Sequence, residues 1–414
     1  MRVPVAVAMI LTALFGYAAL DGFASALRVL AYVPYQVSTE YTLSVVPLFV
    51  LMGALVGHIG VSTRLYQAAE AMFGGLRGSS AMATIGASAA FGAISGSSLA
   101  TTATIGKIAI PEMQRLGYSD RLATASVAAG GTLGILIPPS VILVVYALLT
   151  QLSIAKLFMA GLVPGIVLAL LYVGVVLIST LIKPSLAPKS PRLPGRERLR
   201  AILGAWETVL LFGGTIGGIV FGIVTPTEAA SLGVALALVI GLARRKLCLA
   251  DFADSLLNTA VTSASIFFLV LGATFFSIFV VQAQIPTAVA DWLEAASLGR
   301  YTVLLLMLGV YVVLGCFMDG LGMVLATLPV FFPVILSLGF DPIWFGVLVV
   351  LVVEIGLITP PVGMNLFVLR NAAPGVNLSD IYVGVWPFLV AQFAMIALLI
   401  LWPRLSLWLP ATLG

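Results

Sequence analysis

Gly134-Ile-Leu-Ile-Pro138-Pro139-Ser140 and Gly356-Leu-Ile-Thr359-Pro360-Pro361 decide the fold of this 414-residue chain. Each Pro-Pro pair interrupts an apolar stretch, at 120–150 and 342–370, that is otherwise long enough to cross a bilayer as a helix. Proline lacks an N–H and its ring clashes with the preceding turn, so each pair breaks the backbone ladder and leaves carbonyls without partners. In hydrocarbon such a break is tolerated only where it is buried in protein or lines a cavity. A simple kink accounts for one pair; two broken helices at corresponding places in two halves of a chain point to a transport site.

The surrounding sequence requires a membrane. Hydrophobic residues make up 61% and charged residues 9%, where a water-soluble domain carries roughly 25% charged residues. The net charge of +4 belongs to basic residues lying between apolar segments, so it speaks of topology rather than of nucleic acid. Cys248 and Cys316 are too few for a disulfide framework. The first apolar stretch, Val3 to Leu20, is long for a cleaved signal and lacks a small-residue cleavage site. Apolar runs predict helices at 3–22, 41–60, 120–150, 155–182, 202–224, 228–243, 258–282, 342–370 and 381–402. The regions 80–117 and 302–339 are apolar but interrupted near their middles, and 62–77 and 285–299 read as amphipathic interfacial helices.

The interrupted regions resemble each other at one offset. Pro111, Leu116-Gly117-Tyr118 and Pro138-Pro139 recur 222 residues later as Pro333, Leu338-Gly339-Phe340 and Pro360-Pro361, and Pro4 pairs likewise with Pro226. Gly92, Ser95 and Gly96 match Gly315, Asp319 and Gly320 within one or two residues. The chain therefore divides into a first repeat, 1–182, with a re-entrant hairpin at 80–117 and a broken helix at 120–150, and a second, 202–404, with a hairpin at 302–339 and a broken helix at 342–370. A basic linker, 183–201, joins them. Its Lys183, Lys189, Arg192, Arg196, Arg198 and Arg200 face one acid, Glu197, and place it in the cytoplasm. Threading from that anchor puts Arg64, Arg77, Arg115, Arg121, Arg244, Arg245, Lys246 and Arg370 inside, and leaves only Arg28, Lys156, Arg300 and Arg404 outside. An odd number of crossings then separates equivalent points, so the repeats are inverted. The helix at 202–224 has no counterpart before Pro4, which predicts that a further N-terminal helix belongs to the first repeat.

The turn of the first hairpin, Gly92-Ala93-Ile94-Ser95-Gly96-Ser97-Ser98-Leu99-Ala100, offers small residues for close packing and hydroxyls for helix ends that lipid cannot satisfy. At the second turn Asp319 either caps the following helix or binds a cation. Glu354 lies five residues before Thr359 and is expected to hold backbone groups at the break, whereas Glu207 and Glu228 are expected to reach interfacial water near helix ends. His58, the one histidine, is expected at the interface. No Cys/His cluster has metal-ligand spacing, and Gly106-Lys107 is followed by Ile108 rather than Ser or Thr, so the phosphate-binding loop of ATPases is absent. The scattered acids and lone histidine also argue against an intramembrane enzyme, and inverted breaks fit alternating access better than a channel.

Five motifs, Gly92-A-I-S-G-S-S-L-A, Ile110-P-E-M-x3-G-Y, Gly134-I-L-I-P-P-S, Leu157-F-M-A-G-x2-P-G and Glu354-I-G-L-I-T-P-P-V-G-M-N, together resemble the large membrane subunit of tripartite ATP-independent periplasmic (TRAP) transporters. The resemblance runs from about Val3 to Trp402. It implies an all-α polytopic elevator, in which two hairpins and two broken helices move against a scaffold. It further implies sodium-driven import of an organic acid across a bacterial inner membrane, without a cofactor. The expected partners are a periplasmic substrate-binding protein and a small four-helix membrane subunit. Sodium and substrate positions carried over are Ser95, Gly96, Ser97, Ser98, Pro138, Pro139 and Ser140 for one site, and Asp319, Gly320, Thr359, Pro360, Gly363 and Asn365 for the other. A stand-alone ion-coupled organic-anion carrier of the same superfamily is the alternative. Two departures stand out: the absent N-terminal helix, and Lys107 at a hairpin position where the family often has a small residue.

Overall fold

The computed structural model describes residues 3–189, 194–361, 363–373 and 375–414; Arg192 and Val362 fall outside them. Among the described residues the chain is helical throughout, apart from turns and a single antiparallel bridge between Arg77 and Lys189. Among the described residues eight helices are long and apolar enough to cross a membrane, and three more are apolar but shorter.

The two interrupted helices form the centre. The first runs Asp120–Leu136 and resumes as Val141–Thr150; the second runs Pro342–Ile358 and resumes as Met364–Ala372. We call these the N-break and the C-break. Neither leading half has a polar face, and an all-round apolar helix is stable only inside a bundle or in lipid. Here the bundle takes them: beyond the first turn both are buried along their whole length. Against each break leans a hairpin, Ser79–Ser95 with Ser98–Arg115 (the N-hairpin) and Arg300–Gly315 with Gly320–Ser337 (the C-hairpin). Ser98 and Gly320, Asp120 and Pro342, and Leu136 and Ile358 each stand 222 residues apart as helix ends. Glycine lets hairpin and break touch backbone to backbone. A Cβ on Gly92 would lie 2.5 Å from the Gly134 Cα, and one on Gly315 would lie 2.9 Å from the Gly356 Cα. Such contacts are the usual route to tight packing where lipid supplies no hydrophobic drive between helices.

Around this centre run Val45–His58, Ile154–Ile182, Pro226–Ala243, Leu249–Gln282 and Leu378–Leu401. The amphipathic segments fold as Val61–Phe73 and Ile285–Ala295. Four differences from the sequence reading have clear causes. Phe23–Ser38 is a helix that the reading left unassigned, because Gly22, Pro34 and Thr39-Glu40 interrupt its apolar pattern. The basic segment is not wholly a linker. Gly195–Leu203 is helical, and Arg198 donates to the Met72 carbonyl at 3.2 Å; positions 190–193 lie outside the described residues. The 202–224 span contains a π-helical turn at Gly213–Gly217 between Trp206–Phe212 and Gly218–Val220, where three glycines loosen the ladder. Glu207 does not reach interfacial water. It is fully buried, accepts from Arg64 Nε at 2.7 Å and pairs with Arg244. Two guanidinium groups from flanking helices take water's place; losing one partner of such a buried group costs about 3–5 kcal/mol. Glu228 remains exposed and closes a capping box with Thr225.

Candidate functional site

The N-hairpin turn is built by two caps. Gly96 ends the first arm in the left-handed conformation, φ +63°, and a Cβ there would lie 2.7 Å from the Pro139 carbonyl oxygen, so both the backbone angle and the space call for glycine. Ser97 opens the second arm, its Oγ accepting from the Ala100 N–H at 3.3 Å. Ser95 shares a hydrogen bond with Thr101 at 3.0 Å, and Thr101 donates to the Ser97 carbonyl at 2.8 Å. Behind the turn Pro138, Pro139 and Ser140 are buried, and Ser140 caps the second half of the N-break by accepting from Leu143 N–H at 3.3 Å.

The C-hairpin turn is plainer. Asp319 is exposed and accepts from the Gly322 N–H at 2.9 Å. Of the two roles read from sequence, the cap is the one seen in the hydrogen bonds. Thr359 donates to the Ile355 carbonyl at 2.5 Å, folding its hydroxyl onto its own helix end. Gly363 begins the second half of the C-break at φ +52°. Asn365, fully buried, crosses to the other half of the chain: its Nδ2 lies 2.7 Å from Ser98 Oγ and 3.4 Å from the Ala128 carbonyl.

Both turns face one cavity of about 760 Å³. It is lined by the first residues of four helices: Ser98 to Ala100, Val141 and Ile142, Gly320 and Leu321, and Met364. Each helix N-terminus carries roughly half a positive charge and free N–H groups. The facing wall comes from Val45–His58 and Leu249–Gln282, through Gly53, Gly57, Asn258 and Thr262. Among the described lining residues, Lys107 is the only lysine or arginine and Asp319 the only acid. His58 also lines the cavity, with Nε2 3.3 Å from Asp254 and Nδ1 3.7 Å from Asp251.

A cavity flanked by two broken helices and two hairpins can hold a solute and release it to one side. Residues 1–405 match the family model described as the tripartite ATP-independent periplasmic transporter, DctM component. The chain belongs to this family. It is 38% identical to the C4-dicarboxylate TRAP transporter large permease protein DctM of Pseudomonas aeruginosa, over 94% of this chain and 90% of that one. It is 34% identical to the sialic acid TRAP transporter large permease protein SiaM of Vibrio cholerae, over 90% and 86%. Among solved structures the YdaH transporter of Alcanivorax borkumensis superposes with a TM-score of 0.64 at 16% identity, covering 97% of both chains, a likeness of fold. The TRAP permease is thus a transport protein and not an enzyme.

In this TRAP permease the sequence-predicted residues divide differently from the two expected groups. Ser95, Gly96, Ser97, Ser98, Asp319 and Gly320 line the cavity together. Pro138, Pro139, Ser140, Thr359, Pro360, Gly363 and Asn365 stand behind it, shaping the breaks. Asn365, grouped by sequence with the C-hairpin, bonds to the N-hairpin turn instead, because the second half of the C-break packs against that hairpin's second arm. The reading passed over Asn258 and Thr262. Their signal is faint: two polar side chains one helical turn apart in an apolar helix. His58 was placed at the interface and not at the cavity, and Lys107 was noticed only as a departure.

Proposed function

We propose that this permease imports a small organic anion together with sodium, by an elevator movement of the two hairpins and two breaks against the surrounding helices. The observation that carries this reading is the convergence of both hairpin turns and four helix N-termini on one cavity. Helix N-termini favour an anion, and Lys107 adds a full charge where no arginine lines the wall. At the same turns the half-helices ending at Ser95, Leu136, Gly315 and Ile358 present C-terminal carbonyls beside serine and threonine hydroxyls. Oxygen donors of this kind suit a hard cation. Anion and cation would thus be bound by the two ends of the same interrupted helices, so that each orders the turn the other needs.

The two halves act as inverted repeats, 1–182 and 202–404, in a bacterial inner membrane, with the basic 183–201 segment in the cytoplasm. The cavity extends from the turns towards His58, Lys107 and Asn258, near the ends that this orientation makes cytoplasmic, which fits an inward-facing state. The working assembly includes a small four-helix membrane subunit and a periplasmic binding protein that delivers the substrate.

The test is uptake into proteoliposomes holding the permease and its small membrane subunit. C4-dicarboxylate or sialic acid is supplied on the binding protein encoded beside the permease. Uptake that requires an inward sodium gradient and the binding protein supports the proposal. Sodium-driven uptake without binding protein would favour a stand-alone carrier, and sodium-independent uptake would overturn the coupling. An alkaline-phosphatase fusion after Arg196 is expected to be inactive; activity there would invert the topology.

A further inference from the structure

Glu354 does not line the cavity, although Leu357, one helical turn further along, does. It sits twelve residues into the Pro342–Ile358 helix, about 18 Å along its axis, and is fully buried. Neither carboxyl oxygen has a hydrogen-bond partner. The expectation that it holds backbone groups at the break is not met. Its neighbour is Gln392 of Leu378–Leu401, whose own Oε1 is also buried and unpartnered. Gln392 Nε2 lies 3.5 Å from Thr132 Oγ1 on the N-break, which also pairs with the Tyr172 hydroxyl at 3.2 Å and donates to the Ala129 carbonyl at 2.7 Å. Three buried acceptor oxygens of the cluster, Glu354 Oε1 and Oε2 and Gln392 Oε1, thus have no donor among the described residues.

Charge makes the same point. Among the described residues Tyr172 faces Glu354. The other ionised side chains on the helices packed around it sit at helix ends: Asp120, Arg121, Lys156, Arg300, Asp380 and Arg404 open theirs and Arg370 closes one. Turning the Gln392 amide over would offer a carboxylate one N–H but no positive charge, and an unpaired buried charge is strongly disfavoured. One proton answers both points, because it neutralises the carboxyl and supplies a donor to Gln392 Oε1. Thr132 and Glu354 are themselves 222 residues apart, so the cluster lies where the two breaks meet.

We propose that Glu354 is a proton-binding site, held as a neutral carboxylic acid that donates to Gln392 and keeps the centre of the bundle uncharged. If the breaks move as a unit, which rests on the function proposed above, this acid crosses the membrane without carrying charge against the potential.

Infrared spectroscopy of the purified permease in liposomes tests this without any transport measurement, so it stands or falls apart from the elevator reading. The native protein at neutral pH should show the carbonyl stretch of a protonated carboxyl that persists to pH 9. It should be shifted in Glu354→Asp, absent in Glu354→Gln, and the same in sodium as in choline chloride. Absence of the band from native protein would overturn the proposal. So would its loss on adding sodium chloride, which would make Glu354 a sodium ligand. Should Glu354→Gln fail to fold, the shift in Glu354→Asp decides between a Glu354 band and another acid's.

Discussion

The two hairpin turns sit at matching places in the chain and are held in different ways. The N-turn, Ser95-Gly96-Ser97-Ser98, is pressed onto the N-break at Pro139 and tied to Asn365 from the opposite half. The C-turn, Cys316-Phe317-Met318-Asp319, exposes Phe317 and Asp319, and its side-chain hydrogen bonds stay within the hairpin. The second arms begin and end in register, while the first arm of the C-hairpin stops two residues early, so the difference lies in the turns. Serine hydroxyls can bond to a neighbouring element and stay buried. A phenylalanine and an aspartate in the same place lead outwards. In an alternating-access cycle one gate must open while the rest of the site stays assembled. Under the movement proposed above, the N-turn would belong to the fixed side and the C-turn to the side free to move.

The most damaging change expected is Gly92→Val. Its Cβ would meet the Gly134 Cα at 2.5 Å, and backbone cannot retreat as a side chain can. Overpacking of this kind costs about 1–3 kcal/mol or more, so uptake should fall to background and little folded protein should survive detergent, read by size-exclusion chromatography. Gly315→Val, at 2.9 Å, should be milder; equal damage would mean that both hairpins are equally tightly seated.

Asn365→Ala should come next. It leaves Ser98 without its cross-chain partner, at about 1–3 kcal/mol for unsatisfied buried groups. The expected result is a loss of roughly tenfold or more in uptake and a lower thermal midpoint. No change in either would remove the tie that distinguishes the N-turn.

At the C-turn, Asp319→Ala deletes a helix cap worth about 1 kcal/mol and should reduce uptake several-fold. Asp319→Asn keeps a capping oxygen and removes the charge. Near-native uptake with unchanged sodium dependence is expected. A loss equal to that of alanine would show that the carboxylate binds a cation. The smallest effect belongs to Lys107→Gln on the N-hairpin. Removing one exposed charge of about 1 kcal/mol should raise the substrate concentration for half-maximal uptake about fivefold, less so at high salt. A lowered maximal rate with unchanged half-saturation would place Lys107 in the movement rather than in anion binding.

Much of this could be read in sequence because hydrocarbon is an unforgiving solvent. Pro138-Pro139 and Pro360-Pro361 in apolar runs can mean little else than breaks held inside a bundle, and the 222-residue offset located their counterparts to the residue. Ser95 to Ser98 and Asp319-Gly320 were legible as turns because small or capping residues there have few other uses. Phe23–Ser38 was hidden because a helix lacking a clean apolar run leaves no span signal. The pairing of Glu207 with Arg64 and Arg244 was hidden too, since partners 143 and 37 positions away leave no local pattern.

The sequence by itself determined most of the segments that enter the membrane, where two of them break and where the hairpins turn. Those outcomes follow from hydropathy, proline and short-range hydrogen bonds. Only the tertiary structure decided that the breaks converge on one cavity, that Asn365 serves the opposite hairpin, and that Glu354 is left facing an amide with no cation near it. Contacts between helices depend on how whole surfaces pack, and an apolar stretch looks the same in sequence whichever neighbour covers it.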